Sequence, residues 1–441
     1  MKRINLYILL LALTGTFASC KKFLDEKPDK RLKIPTTVED YQALLDGSFD
    51  MNLSTATSGI LSADDYYQTD ADFNGLDIYT RNLYTWETNS IADNAPNDWS
   101  SSYGQVYNTN IALEGLDKIA KTGVNGAKWD NVKGSALFYR GRVFLEAATL
   151  WAKAYDNATA STDLGIPLKM TSNFDEKTTR ASVKETYDRI LLDLKTAANL
   201  LPVNAINNMR PSKAAAYAYL SRAYLSMRDY PNAGKYADSA LLINNTLLDY
   251  QTIGMMYLYK NPEVVMVFTT MFGRVDFKIP EDFYNSYASN DNRKSLFFDF
   301  NRDGSIYYSN TEDYTSYFTG IANDELYLTR AECFARAGNT SDAMKDLNTL
   351  LKKRISRFVD LTAADANAAL RLILTERRKE LLMRGTRWMD LKRLNKEPEF
   401  KVTLKRVAAG KTYELLPDDA KYALPIPSKI VSLAGIPQNP R

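Results

Sequence analysis

Histidine is absent from all 441 residues. That removes Ser-His-Asp and Cys-His triads, HExxH zinc sites and imidazole acid–base catalysis together. Any catalysis would fall to carboxylates, Tyr, Lys or a cysteine. Only two cysteines occur, Cys20 and Cys333. Charge of either sign is not in excess: 56 Lys and Arg face 53 Asp and Glu, a net of +3, with no basic block. A nucleic-acid groove or a polybasic membrane patch is therefore not supported. No Gly-rich phosphate loop and no metal-ligand spacing is present. Beyond the N-terminus no apolar run reaches the ~18 residues of a spanning helix. What remains is ordinary globular material, 45% hydrophobic and 25% charged, with an unusual 28 tyrosines.

The chain opens MKRINLYILLLALTGTFASC. Lys2 and Arg3 form a positive region, Leu6 to Leu13 a short apolar one, and small residues then lead to Cys20. This resembles a bacterial lipoprotein signal, with cleavage after residue 19 and lipid carried on Cys20. Residues 20–35 then read as a polar, Pro-containing tether, and residues 36–441 as one domain. The processed chain would carry a net charge of +1. Cys333 is left as a lone thiol in an Ala-rich helical pattern, where a small buried residue is expected.

The rest is mainly helical by period. Thr36 with Glu39 suggests a capping box opening a helix through Tyr41, Leu44 and Leu45. Residues 52–98 lose the period and read as a long irregular excursion. Helices resume near Trp99, and Val132 to Tyr155 shows an amphipathic pattern broken by Gly165-Ile166-Pro167. Ser182 and Glu185 form a second capping box. KAAAYAYLSRAYLSMRDYPNAGKYADSAL carries tetratricopeptide-like offsets, and DELYLTRAECFARAGNTSDAMKDLNTLL a fainter copy. These place helix pairs near 182–245 and 323–354. Residues 246–320 contain strand-like pieces rich in Tyr and Phe. The fold expected is mostly α, helix pairs forming a scaffold with irregular and hairpin insertions that carry the ligand face.

Asp299, Asn301, Asp303 and Gly304 match the start of a calcium loop, but Asn310 stands where its bidentate Glu belongs. A hairpin turn with Gly304 at the tight position fits better. Carboxylates are plentiful, and a glycoside hydrolase needs only two of them. Glu376 and Glu380 share a helical face but sit among Arg377, Arg378, Lys379, Arg384 and Arg387, so ion pairing is the expectation there. The aromatics say more. Tyr66, Tyr67, Phe73, Tyr79, Tyr84, Trp86 and Trp99 are interleaved with acids, amides and Arg81, the mixture that grips sugar rings or peptide side chains. About half of these rings are expected to pin the excursion to the scaffold, with Trp99 an anchor and Trp86 a contact.

Several ordered segments are similar to the SusD/RagB family of outer-membrane nutrient-binding lipoproteins. They are Cys20 to Pro28, Ala92-Asp93-Asn94 with Trp99, Tyr103 and Asn110, Gly165 to Leu168, Arg180 to Tyr187, and Asp291 to Lys294. The most specific is TERRKELLMRGTRWMDLKRLN at 375–395, followed by LPIPSKI and Gln438-Asn439-Pro440 within a C-terminal motif region 375–441. Arg384 stands where the family more often has Glu. The resemblance implies a lipid-anchored protein on the outer membrane, facing outward and paired with a SusC-like TonB-dependent transporter. It would capture glycans, or peptides as in the RagB branch, without catalysis and without a cofactor. The ligand surface expected is Trp86, Tyr84, Arg81, Asp93 and Asn94, with Tyr307 and Tyr308 as further contacts. Arg387, Trp388 and Asp390 are expected to lock the C-terminal helix to the core. A peptide ligand, a surface hydrolase, or a scaffold binding only protein partners are the alternatives.

Overall fold

The computed structural model describes residues 34–87, 93, 97–177, 179–253, 261–271, 277–309 and 316–441. They are mainly helical, with strands only as two-stranded antiparallel ribbons. The helices Asp98–Leu116, Gly126–Trp151 and Val183–Leu200 pack side by side, then Lys213–Ser226 with Tyr230–Leu241. Tyr230–Leu241 rests on Asn323–Arg336, which pairs with Thr340–Leu351 and Ala366–Glu380. Both segments singled out for repeat-like spacing therefore form helix hairpins, and these stack on each other.

Small residues set how closely these helices approach. A Cβ on Gly134 would lie 2.9 Å from Leu201 Cγ, and one on Gly141 would lie 3.0 Å from Leu194 Cγ. Both glycines face Val183–Leu200, so its leucines seat directly against backbone. Ser182 and Glu185 form the expected capping box. The first box is displaced by one residue: Thr37 caps Val38–Leu45, and Asp40 Oδ2 accepts from Thr37 N at 3.0 Å. Glu39 instead meets Lys128 at 2.7 Å.

Part of the expected excursion at 52–98 is helical. Ser58–Ser62, Asp70–Gly75 and Ile78–Tyr84 are each two turns or less, too short to show a period. They are fixed by their ends: Thr69 and Asp72 make a capping box, and Asp77 caps Ile78–Tyr84. Phe298–Phe300 pairs with Ile306–Tyr308 as a hairpin, with Gly304 at φ +83°. Asp303 Oδ1 accepts from Ser305 N and its hydroxyl at 2.9 and 2.6 Å, which commits that carboxylate to the turn. The hairpin turn expected with Gly304 at its tight position is therefore present.

The C-terminal motif is a buried charge lattice. Arg377 meets Asp390 at 2.9 Å, and Arg393 meets Asp390 and Glu332 at 2.7 and 2.6 Å. Arg293 joins Glu376 and Glu380, and Arg354 joins Glu380 and Glu263. Arg387 reaches Asp64 at 2.6 Å, and Trp388 is fully buried. Arg384 pairs with Asp324 at 2.6 Å. Removing one partner from such a lattice would leave an uncompensated charge in the core. Trp99 stacks on Tyr103 at 4.6 Å and meets Trp151 edge-on at 4.9 Å, the expected anchor. Cys333 is buried, and burial pushes its thiol up to about 12. Among the described residues no helix is long and apolar enough to cross a membrane.

Candidate ligand-binding surface

Tyr67, Lys278, Tyr307 and Asp299 stand opposite one another on four adjacent backbone segments. Tyr67 N donates to Lys278 O at 2.8 Å, and Ile279 N to Ile306 O at 2.8 Å. Residues paired across antiparallel segments share a face, so these four form one row. At about 4.8 Å per segment, the two tyrosine backbones are about 10 Å apart. Tyr67 is 38% exposed, Tyr307 half-buried and Asp299 exposed. Tyr307 hydroxyl donates to Asp299 Oδ2 at 3.2 Å. Lys278, between them in the row, is buried, with its Nζ on Asp72 at 2.6 Å. Burial would raise the Asp72 carboxyl, but hydrogen bonds from Lys278 and Thr69 hold it below its ordinary value.

The neighbours in sequence face the other way and are buried: Tyr66, Phe277, Ile279, Ile306 and Tyr308. Tyr66 meets Phe277 at 4.7 Å, Phe277 meets Tyr317 at 5.4 Å, and Tyr308 stacks on Tyr317 at 5.9 Å. An aromatic layer thus backs a row whose members at the surface are Tyr67, Tyr307 and Asp299. Such a row can stack on the C–H face of a sugar while bonding its hydroxyls.

The structure redistributes the expected contacts. Trp86 is 2% exposed, sits at φ +54° and donates Nε1 to Ser62 O at 2.9 Å. Tyr84 is 1% exposed, and its hydroxyl accepts from Gln68 N at 2.9 Å. Both rings are core, which corrects their placement on the ligand surface. Tyr308 is corrected likewise: strand alternation turns it inward while Tyr307 faces out. Arg81 is half-buried on Ile78–Tyr84. Asp93 accepts from Ser428 N at 2.7 Å, from the Ser428 hydroxyl and from Lys429 N, tying down Ser428–Ala434. The Ser428 hydroxyl holds that carboxyl below its usual range. Asn94 and Cys20 lie outside the described residues. Tyr67, exposed in this row, was not among the contacts expected from the sequence. The signal available was the doublets Tyr66-Tyr67 and Tyr307-Tyr308, because adjacent rings on a strand must face opposite sides.

Glu263, Asp324 and Glu380 bring carboxylate oxygens within 4.8 Å of one another. Arg354 and Arg384 already ion-pair all three, and Arg293 adds a third cation at Glu380, so protein cations match the cluster.

Comparison with known proteins agrees with this architecture. A family model described as starch-binding, associating with the outer membrane, matches residues 22–225, and a second, the SusD family, matches residues 324–440. The fold is that of solved SusD-superfamily structures. One from Bacteroides thetaiotaomicron is 20% identical with a TM-score of 0.75, covering 92% of this chain and 100% of that one. One from Bacteroides vulgatus is 20% identical with a TM-score of 0.73, covering 92% and 99%. A SusD-like carbohydrate-binding protein, also from Bacteroides vulgatus, is 20% identical with a TM-score of 0.69, covering 91% and 97%. No curated protein matches the chain. The chain belongs to the SusD/RagB family.

Proposed function

We propose that the protein is a lipid-anchored outer-membrane lipoprotein that captures glycans at the cell surface and passes them, unmodified, to a SusC-like TonB-dependent transporter. The observation that carries the reading is the row in which Tyr67, Tyr307 and Asp299 reach the surface around the buried Lys278, which sets two aromatic faces about 10 Å apart beside a carboxylate. The family description, starch-binding and associating with the outer membrane, supports a saccharide ligand and the membrane setting. The ion pairing of Glu376 and Glu380 leaves neither as a free acid–base partner, which supports binding without turnover.

The test uses residues 21–441, lacking Cys20, in calorimetry and native affinity gels. The panel is starch, fructan, xylan, chitin, host-type glycans and a peptide digest, with product analysis of every sample. Retention of one glycan class with intact ligand is expected. Shortened oligosaccharide would mark a hydrolase, and binding confined to the digest would mark a peptide carrier.

A further inference from the structure

A cavity of about 420 Å³ opens beside the C-terminal motif, and its wall is strongly basic. Arg371, Arg378, Lys379 and Arg387 line it together with the rings of Phe283 and Phe400, and no carboxylate lines it. The acids that pair with these cations stand behind the wall. Arg378 and Arg387 share Asp64, at 3.1 and 2.6 Å. Lys379 reaches Glu376 at 2.9 Å, a carboxylate it shares with Arg293. Asp65 is buried 3.8 Å from Arg378 Nε, too far for a hydrogen bond, and that Nε is buried with no hydrogen-bond partner. Arg371 meets Glu399 at the exposed rim.

The guanidiniums are also held in plane. Arg378 lies 4.9 Å over Phe283, and Arg371 lies 5.8 Å over Phe400. Arg387 spends Nε and Nη2 on Asp64, and Arg378 spends Nη2 on the Asp64 carboxylate and carbonyl, so an oxyanion in the cavity would meet the Nη1 sides of the two guanidiniums. The volume falls in the range of small-molecule sites. The segments that carry the tyrosine row adjoin this wall in sequence: Asp64 and Asp65, behind it, just precede Tyr67, and Phe283, in it, follows Lys278. The Phe283 ring meets Tyr287 at 5.7 Å, and Tyr287 meets Phe298, the neighbour of Asp299, at 5.2 Å.

We infer that this cavity is an anion subsite, receiving the carboxylate or sulfate of an acidic sugar whose neighbouring units lie on the tyrosine row. The inference rests on the glycan reading above and narrows it to anionic saccharides. The ring of the acidic unit packs on Phe283 and Phe400, while Arg378 and Arg387 take its charged group.

The test is calorimetry on the full chain in detergent with a galacturonic acid oligomer, its methyl ester, the neutral glycan panel and oligoglutamate. The acid form is expected to bind at least about tenfold more tightly than its ester, a difference of about 1.4 kcal/mol. Arg371→Glu and Thr375→Glu place negative charge at the exposed mouth, where folding tolerates it. Each should weaken the acid form about tenfold or more with an unfolding midpoint at the wild-type value. Arg378→Gln removes an inner-wall cation that also pairs with Asp64, so it should weaken the acid form and lower the unfolding midpoint as well. Equal binding of acid and ester, or binding of neutral glycans alone, overturns the inference and leaves the glycan reading standing. Tighter binding of oligoglutamate overturns the sugar assignment. Silence toward every saccharide overturns both.

Discussion

The guanidinium of Arg406 lies 3.9 Å from the ring centre of Tyr84. It also faces the rings of Trp86 at 4.8 Å and Tyr66 at 5.2 Å, and it donates to the carbonyls of Leu61, Ala63 and Tyr84. Arg406 points inward from the strand Leu404–Ala408, where alternate residues are buried. One side chain therefore closes the aromatic cluster and donates to the buried carbonyls of Ala63 and Tyr84, sharing the Leu61 carbonyl with the Tyr66 hydroxyl.

Arg406→Met should destabilise the protein by about 2 kcal/mol or more, since the buried carbonyls of Ala63 and Tyr84 lose this donor while Leu61 keeps the Tyr66 hydroxyl. Arg406→Lys should recover little of that, because an ammonium presents no flat face to three rings. Urea unfolding of both variants checks this. A change within about 0.5 kcal/mol, the scatter of neutral surface substitutions, would sink the argument.

Tyr67→Ala and Tyr307→Ala should each weaken glycan binding roughly 3- to 10-fold, the scale of losing one ring contact, with unfolding midpoints unchanged. Trp86→Ala should behave oppositely, costing about 3–5 kcal/mol of stability through the cavity it leaves. Paired calorimetry and unfolding separate the two kinds of ring. A Trp86→Ala protein of wild-type stability that no longer binds would return Trp86 to the ligand surface.

The contrast shows where sequence reading holds and where it stops. Long helices were legible because Val183–Leu200 repeats its apolar face over five turns and announces its start with Ser182 and Glu185. Ion pairing of Glu376 and Glu380 was expected, but of the cations around them only Lys379 pairs there, and Arg293 and Arg354 from distant segments supply the rest. Trp86 was misplaced because Ile78–Tyr84 is too short to reveal a buried side, and because Arg406, which covers it, is about 320 residues away in the chain. Tyr307 was separable from Tyr308 only once the strand register was known. Aromatic content marked the region, and the pairing of Lys278 with both Tyr67 and Tyr307 decided which rings face out.

Glu263 predicts one limb of the pH dependence of stability. Burial, together with nearby Asp324 and Glu380, pushes its carboxyl from 4.5 up to about 7, although Arg354 pulls the other way. Between those values the folded protein holds a proton that the unfolded chain has released, so stability falls as pH rises through that window. Glu263→Gln keeps the shape and removes the titration. The fall in unfolding midpoint from about pH 4.5 to 7 should then flatten relative to wild type. Parallel curves would show that Glu263 is charged throughout.

Lys392 predicts the opposite limb. Its Nζ is buried and donates to Thr149 O and Ala152 O at 2.5 and 2.6 Å, at the C-terminal end of Gly126–Trp151. Arg180 and Asn439 both donate to Trp151 O, so three side chains close that helix end. Burial pushes the Lys392 amine from 10.5 down to about 7, while the carbonyl end of the helix dipole favours the charged form. Above about pH 7 the unfolded chain binds a proton that the folded protein has released. Stability from this group therefore rises with pH until the unfolded amine titrates near 10.5. Lys392→Met removes that limb, so the stability gap between wild type and variant should widen from pH 7 to 9.5 in denaturant titrations. A constant gap would mean that the dipole and the two carbonyls hold the ammonium charged across the whole range, leaving the helix cap as the only role of Lys392.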